Sequence, residues 1–135
     1  MNTTVTPYLN FPGNTAEAMR FYQGIFGGEL DILTFSDFHV TDMPAQGTMH
    51  SHLHTGSFAF SAADAQPGGE ADWGTSRISL AIMGDDLDTI SGWFDALAEG
   101  GTVGQALASQ VWGDVYGQVT DKYGIAWMFN ISASS

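Results

Sequence analysis

A pattern of strand, helix and three strands runs twice along this 135-residue chain, and a duplication of that length leaves few folds open. In the first copy, the strand Thr6 to Phe11 leads to a helical segment that opens at Asn14, with Glu17 three residues on as a capping box. That helix carries Ala18, Phe21, Tyr22, Ile25 and Phe26 on one stripe and closes at Gly27-Gly28. The strand Glu29 to Phe35 follows, then a hairpin of Met49 to His54 and Ser57 to Ala62 turning at Gly56. The second copy starts with Arg77 to Met83 and a helix opening at Asp85, with Leu87, Ile90, Phe94 and Leu97 on its stripe and Gly100-Gly101 at its end. Thr102 to Leu107 and a hairpin of Val115 to Thr120 and Ile125 to Ile131 around Gly124 complete it. Phe21 aligns with Phe94, and the Gly-Gly pairs with each other, at an offset of 73; Gly56 aligns with Gly124 at 68. The expected fold is α+β: one domain of two βαβββ modules, about 4–62 and 77–131, joined by a Gly-, Pro- and acid-rich linker at about 63–76.

Strand alternation sorts the residues into two faces. Leu9 and Phe11, Met49 and Leu53, Phe58 and Phe60, Ile78, Leu80 and Ile82, and Ile125, Trp127 and Phe129 form apolar rows that the helices must cover. The other side carries Tyr8, Asn10, His50, His52, Ser61, Arg77, Ser79, Tyr116, Gln118 and Met128. Polar groups mixed with aromatic and Met side chains suit a ligand cavity or a subunit interface. Three of the four histidines stand at alternate positions in "MHSHLHTG", so His50, His52 and His54 line one strand face about 6 to 7 Å apart.

Charge narrows the partners. Fifteen acidic residues face only Arg20, Arg77 and Lys122, a formal net charge of −12, so no cationic surface exists to displace counterions from phosphates. Nucleic acid is excluded as a partner. The N-terminal stretch has neither a basic region nor an apolar run, and no segment approaches the roughly 18 apolar residues of a membrane helix. The expectation is a cytoplasmic protein with no membrane partner. Without cysteine there is no disulfide, thiolate site or cysteine nucleophile.

The stretches "YLNFPGNTAEAMRFYQGIFGGEL", "MHSHLHTG" and "WGDVYGQVTDKYGIAWMFN" resemble, in order and over nearly the whole chain, the PhnB-like branch of the glyoxalase, bleomycin-resistance and extradiol-dioxygenase superfamily, also called vicinal oxygen chelate (VOC). The resemblance implies a curved mixed sheet around a cavity, often within a homodimer. It also implies one metal ligand on the first and last strand of each module in the metal-dependent members. Those places fall here on Thr6 or Pro7, Ser61, Arg77 and Met128, none a good donor for a divalent ion. No metal and no cofactor are therefore expected. A histidine at the place of His50 looks typical of the PhnB-like branch, whereas His52 and His54 look particular to this chain.

The histidine strand leaves three readings: polar pocket lining, an exposed or interface face, or a metal held by His50 and His52 with Asp64 or His39 as a third ligand. Arg77 offers a planar fork to a carboxylate or phosphonate, or a structural pair to one of the many acids. Tyr8, Trp112 and Tyr116 are candidates to stack on a flat or cationic ligand, or are core. The expected ligand-binding set is Tyr8, Asn10, His50, His52, Arg77, Trp112, Tyr116 and Gln118, around a small molecule. Asp121 and Gly124 read as turn makers, and the polar stretch Ser36 to Gly47 as a flap or a variable loop. Two other functions stay open. One is a lyase-, isomerase- or dioxygenase-type enzyme using His50 as general acid or base. The other is a drug-sequestering resistance protein.

Overall fold

The computed structural model describes residues 6–65 and 78–132. The chain divides into two compact units, Met1–Trp73 and Gly74–Ser135. In unit 1, β1 (Tyr8–Phe11), α1 (Thr15–Phe26), β2 (Glu29–Thr34), β3 (Thr48–His54) and β4 (Ala59–Asp64) follow one another. Their sheet has the order β1-β4-β3-β2, with β1 parallel to β4 and the other pairs antiparallel. Unit 2 repeats this with β5 (Leu80–Gly84), α2 (Leu87–Ala98), β6 (Thr102–Ser109), β7 (Val115–Thr120) and β8 (Ala126–Ile131), in the order β5-β8-β7-β6. Both units are thus βαβββ modules, and the α+β class read from the repeat holds. No helix among the described residues is long and apolar enough to cross a membrane.

Each helix covers its own sheet. α1 buries Thr15, Ala18, Met19 and Tyr22, a stripe at i, i+3, i+4 and i+7, over Phe11, Leu53, Phe60 and Ala62. Tyr22 meets Phe60 edge-on, ring centroids 5.6 Å apart. α2 buries Ile90, Phe94 and Leu97 over Val119, Trp127 and Phe129, with Phe94 edge-on to Phe129 at 5.2 Å. Full burial of one such side chain contributes about 1.5–3 kcal/mol. The burial pattern corrects the helix alignment by one residue: Ala18 corresponds to Ile90 and Tyr22 to Phe94, so Phe21 is only half-buried. Leu87 is half exposed in the first turn of α2, and Ile78 is exposed ahead of β5.

The helix starts differ from the expected caps. Asn14 holds the N-cap position of α1, but its side chain makes no cap bond, so the Asn14–Glu17 box does not form. Asp64, at the end of β4, takes over by accepting from Thr15 N at 3.1 Å and from Thr15 Oγ1 at 2.6 Å. In α2 the cap is Asp86, one residue beyond the expected Asp85, and it accepts from Thr89 N at 3.1 Å. The Thr89 backbone N–H, and after it the Thr89 hydroxyl, hold the Asp86 carboxyl below the usual carboxylate range. A depressed carboxyl stabilises above its unfolded value, so this cap is present at neutral pH and lost on acidification through its folded value.

The hairpin turn of unit 2 is built as expected. Asp121 Oδ1 accepts from Tyr123 N and Ile125 N, and Gly124 adopts φ 88°. The other oxygen, Oδ2, accepts from the buried Trp127 Nε1 at 2.8 Å, which makes Trp127 a core residue with a satisfied indole.

Candidate functional site

The histidine face follows from the alternation of β3. Ser51 and Leu53 point to the helix side and are fully buried, and Ser51 Oγ donates to Ala62 O at 2.7 Å. His50 and His52, half-buried, and His54, exposed, take the other face. Register then assembles their neighbours: His52 lies opposite Ser61 of β4 and Asp31 of β2, and Ser61 lies opposite Tyr8 of β1. A row Tyr8–Ser61–His52–Asp31 therefore crosses all four strands on one face. His50 lies opposite Leu33, and His54 opposite Glu29.

Two hydrogen bonds organise this face. Tyr8 Oη and His50 Nδ1 share one at 2.9 Å, with their rings 5.7 Å apart. His52 Nδ1 and Ser61 Oγ share another at 2.8 Å. The rings of His52 and His54 stack 6.5 Å apart, the spacing of alternate strand positions. The structure thus brings together Tyr8, His50 and His52 from the expected set, with Asn10 exposed one alternation beyond Tyr8. It adds Asp31 and Glu29, which the sequence reading missed. Their signal was present as the alternation Glu29, Asp31, Leu33, but only register shows which histidine each one faces.

Asp64 and His39 do not join the histidines. Asp64 falls on the helix side of β4 by alternation from Ser61, and its carboxylate accepts from Thr15 and from Thr48 N at 2.9 Å. His39 follows the 3-10 turn Ser36–Phe38 in a left-handed conformation, φ 59°. The stretch from Ser36 to Gly47 is closed at its base by Phe35 N to Gly47 O and Ser36 N to Ala45 O.

Unit 2 carries its own polar and aromatic face. Tyr116 lies opposite Asn130, and Gln118 opposite Met128. Gln118 Nε2 donates to Tyr116 Oη at 2.9 Å, and Asn130 Nδ2 donates to Asp114 Oδ2 at 2.9 Å. Trp112, 58% exposed, meets Tyr116 edge-on at 6.1 Å and directs Nε1 at Asn130 Oδ1, 3.4 Å away. Trp112 is therefore not core, and its indole is open to a stacking partner. Arg77 lies outside the described residues.

The metal that the resemblance implies finds no suitable donors at the inherited places. Thr6, Pro7 and Ser61 offer at most a hydroxyl, and the Ser61 hydroxyl is engaged by His52; Met128 offers a soft thioether. Among the described residues no group of three or more His, Asp or Glu side chains is placed to hold an ion. His50 and His52 could ligate only through Nε2, since both Nδ1 atoms are taken.

Comparison with known proteins agrees with this architecture. Residues 6–129 match the family model of the Glyoxalase/Bleomycin resistance protein/Dioxygenase superfamily. Protein PA1353 from Pseudomonas aeruginosa is 33% identical, with a TM-score of 0.82 over 98% of this chain and 100% of that one. The PhnB protein from Bacillus cereus shares the fold at 21% identity and a TM-score of 0.74, over 96% of this chain and 100% of its own. Protein YjdN of Escherichia coli (strain K12) is 28% identical over 94% of each chain.

Proposed function

The chain belongs to the glyoxalase/bleomycin resistance protein/dioxygenase superfamily, and from that membership we propose that it is a PhnB-like, metal-independent small-molecule binder. The observation that carries this reading is the row Tyr8–Ser61–His52–Asp31 together with His50, which stands two residues from His52 on the same face. The Nδ1 atoms of His50 and His52 are engaged by hydroxyls, and the places that serve metal in metal-dependent members hold poor ligands. Tyr8, Asn10, His50 and His52 are the proposed ligand contacts on the face of unit 1, and Trp112, Tyr116 and Gln118 are the proposed contacts on the face of unit 2, each face taken by itself. Arg77, argued from the sequence alone, is assigned an anionic or polar head group. The ligand then combines a flat or apolar body with a head rich in hydrogen-bond acceptors. The same reading has the protein act in the cytoplasm as a homodimer, for which light scattering at micromolar concentration should return about twice the 14.4 kDa chain mass.

Thermal shift against a library of small acids and bases, at two salt concentrations, tests the ligand class. Stabilisation is expected from acids with an aromatic body, and Arg77→Ala should weaken their binding by about 1.5–3 kcal/mol, the worth of a hydrogen bond to a charged group. Hits confined to bases, weakening steeply with salt, would instead establish a cation-sequestering protein, in keeping with the −12 charge. Elemental analysis of untagged protein prepared without chelator should find no stoichiometric metal. One ion per chain that disappears when His50 and His52 are both replaced would overturn metal independence.

A further inference from the structure

The histidine pair carries an assignment beyond ligand contact. We infer that Tyr8 and Ser61 are positioning residues that hold neutral His50 and His52 in one tautomer, with the proton on Nε2, and so present two N–H donors on one strand face. The inference rests on the small-molecule reading above and specifies its ligand further.

A neutral imidazole has one donor nitrogen and one acceptor nitrogen, and the partner of Nδ1 decides which is which. Tyr8 Oη lies 2.9 Å from His50 Nδ1. A phenol hydroxyl donates far better than it accepts, so this contact favours a bare Nδ1 and a protonated Nε2. Ser61 Oγ lies 2.8 Å from His52 Nδ1, and Ser61 is 4% exposed. If Ser61 accepted from Nδ1, its own proton would need a second acceptor in a place closed to water. Donation to His52 removes that requirement. Two different hydroxyls on two different strands therefore impose the same tautomer on residues two apart on β3.

Both Nε2–H groups then serve acceptors. They carry no charge, and on the neighbouring strand β2 Asp31 stands opposite His52 and Glu29 opposite His54. Those carboxylates disfavour a multiply charged anion and leave a carbonyl or a single carboxylate as the fitting head. The same tautomer opposes metal at His50 and His52, because an ion on Nε2 needs the proton on Nδ1 and both hydroxyls turned to acceptors.

The test is long-range proton–nitrogen NMR of the full chain labelled with 15N-histidine, at about pH 8.5, two units above the ordinary histidine value. His50 and His52 should each show a protonated-type Nε2 and a bare-type Nδ1. Tyr8→Phe should return His50, and only His50, to a tautomer mixture, and Ser61→Ala should do the same for His52, with Ser61→Thr restoring the lock. Benzoate should shift the two Nε2–H signals while benzylamine, the same ring with a cationic donor, leaves them unmoved. In Tyr8→Phe the benzoate affinity should fall only by the share of molecules that leaves the competent tautomer, less than about twofold, because neutral histidine in water already favours Nε2–H, so the His50 nitrogen shifts are the decisive readout. A protonated Nδ1 on either histidine of the unmodified chain overturns the assignment, even if acids still bind. An unchanged His50 spectrum in Tyr8→Phe overturns the role of Tyr8. If the tautomers are as stated but neither benzoate nor any other acid binds, the tautomer assignment stands and the small-molecule reading falls.

Discussion

Replacing Gly28 by alanine is expected to lower stability by about 3–6 kcal/mol, more than the same change at Gly27 or Gly101, each of which shares one of its two causes. Gly28 has φ 96°, a conformation that costs an L-residue about 1–3 kcal/mol, and a Cβ there would fall onto the backbone oxygen of His54. The carbonyl is part of the β2–β3 ladder at the pair Glu29–His54, so it cannot yield as a flexible side chain would. Two other glycines separate these terms. Gly27 has φ 75° but open space around it, and its alanine variant should show the conformational cost alone, about 1–3 kcal/mol. Gly101, its neighbour's counterpart in unit 2, would place a Cβ on Thr120 O without a positive φ, and its variant should show the steric cost alone, about 1–3 kcal/mol or somewhat more. Urea midpoints of the three variants decide the matter. A Gly28→Ala protein no weaker than Gly27→Ala would mean that β2 does not approach the end of the histidine strand as described.

Asp64→Ala is expected to cost about 3–5 kcal/mol, on the basis of three bonds lost to one carboxylate, each worth about 1.5–3 kcal/mol before non-additivity. Thr15 N, Thr15 Oγ1 and Thr48 N all donate to Asp64, and Thr15 and Thr48 are buried at 0% and 2% exposure. Alanine leaves those donors without an acceptor and removes a negative charge from the N-terminus of α1. Asp64→Asn should fall between, since its amide NH2 would face one of the N–H groups that the second oxygen now accepts from. Hydrogen exchange at Thr15 and Thr48 localises the effect. If Asp64→Ala unfolds within 0.5 kcal/mol of the parent and both amides keep their protection, the carboxylate is not the cap of α1.

What was legible in the chain beforehand was whatever repeats at short range. The run His50, Ser51, His52, Leu53, His54 sorts itself by period two, and the observed burial of Ser51 and Leu53 against the openness of His54 follows that period. Gly27-Gly28 and Gly100-Gly101 end helices because the chain must leave the helix there, and Asp121 with Gly124 makes a turn from local hydrogen bonds. The cap of α1 was misread because Asn14 and Glu17 have the right local spacing while the group that actually caps lies 49 residues from Thr15, on β4. Helix alignment slipped by one residue for a related reason. The aromatic letters Phe21 and Phe94 match, but the sheet beneath selects Tyr22 and Phe94.

Sequence alone therefore determined the two βαβββ modules, the face on which the histidines stand and the residue types on that face. Those depend on periodicity, on glycine's backbone freedom and on side-chain chemistry, all of which are properties of short stretches. Only tertiary structure decided what each histidine touches. Tyr8 reaches His50 from 42 residues away because β1 inserts parallel to β4, and Asp31 meets His52 because β2 pairs with β3 in one register. A shift of that register by one residue would turn Asp31 to the other face, so its place beside His52 is a property of the assembled sheet and of no segment within it.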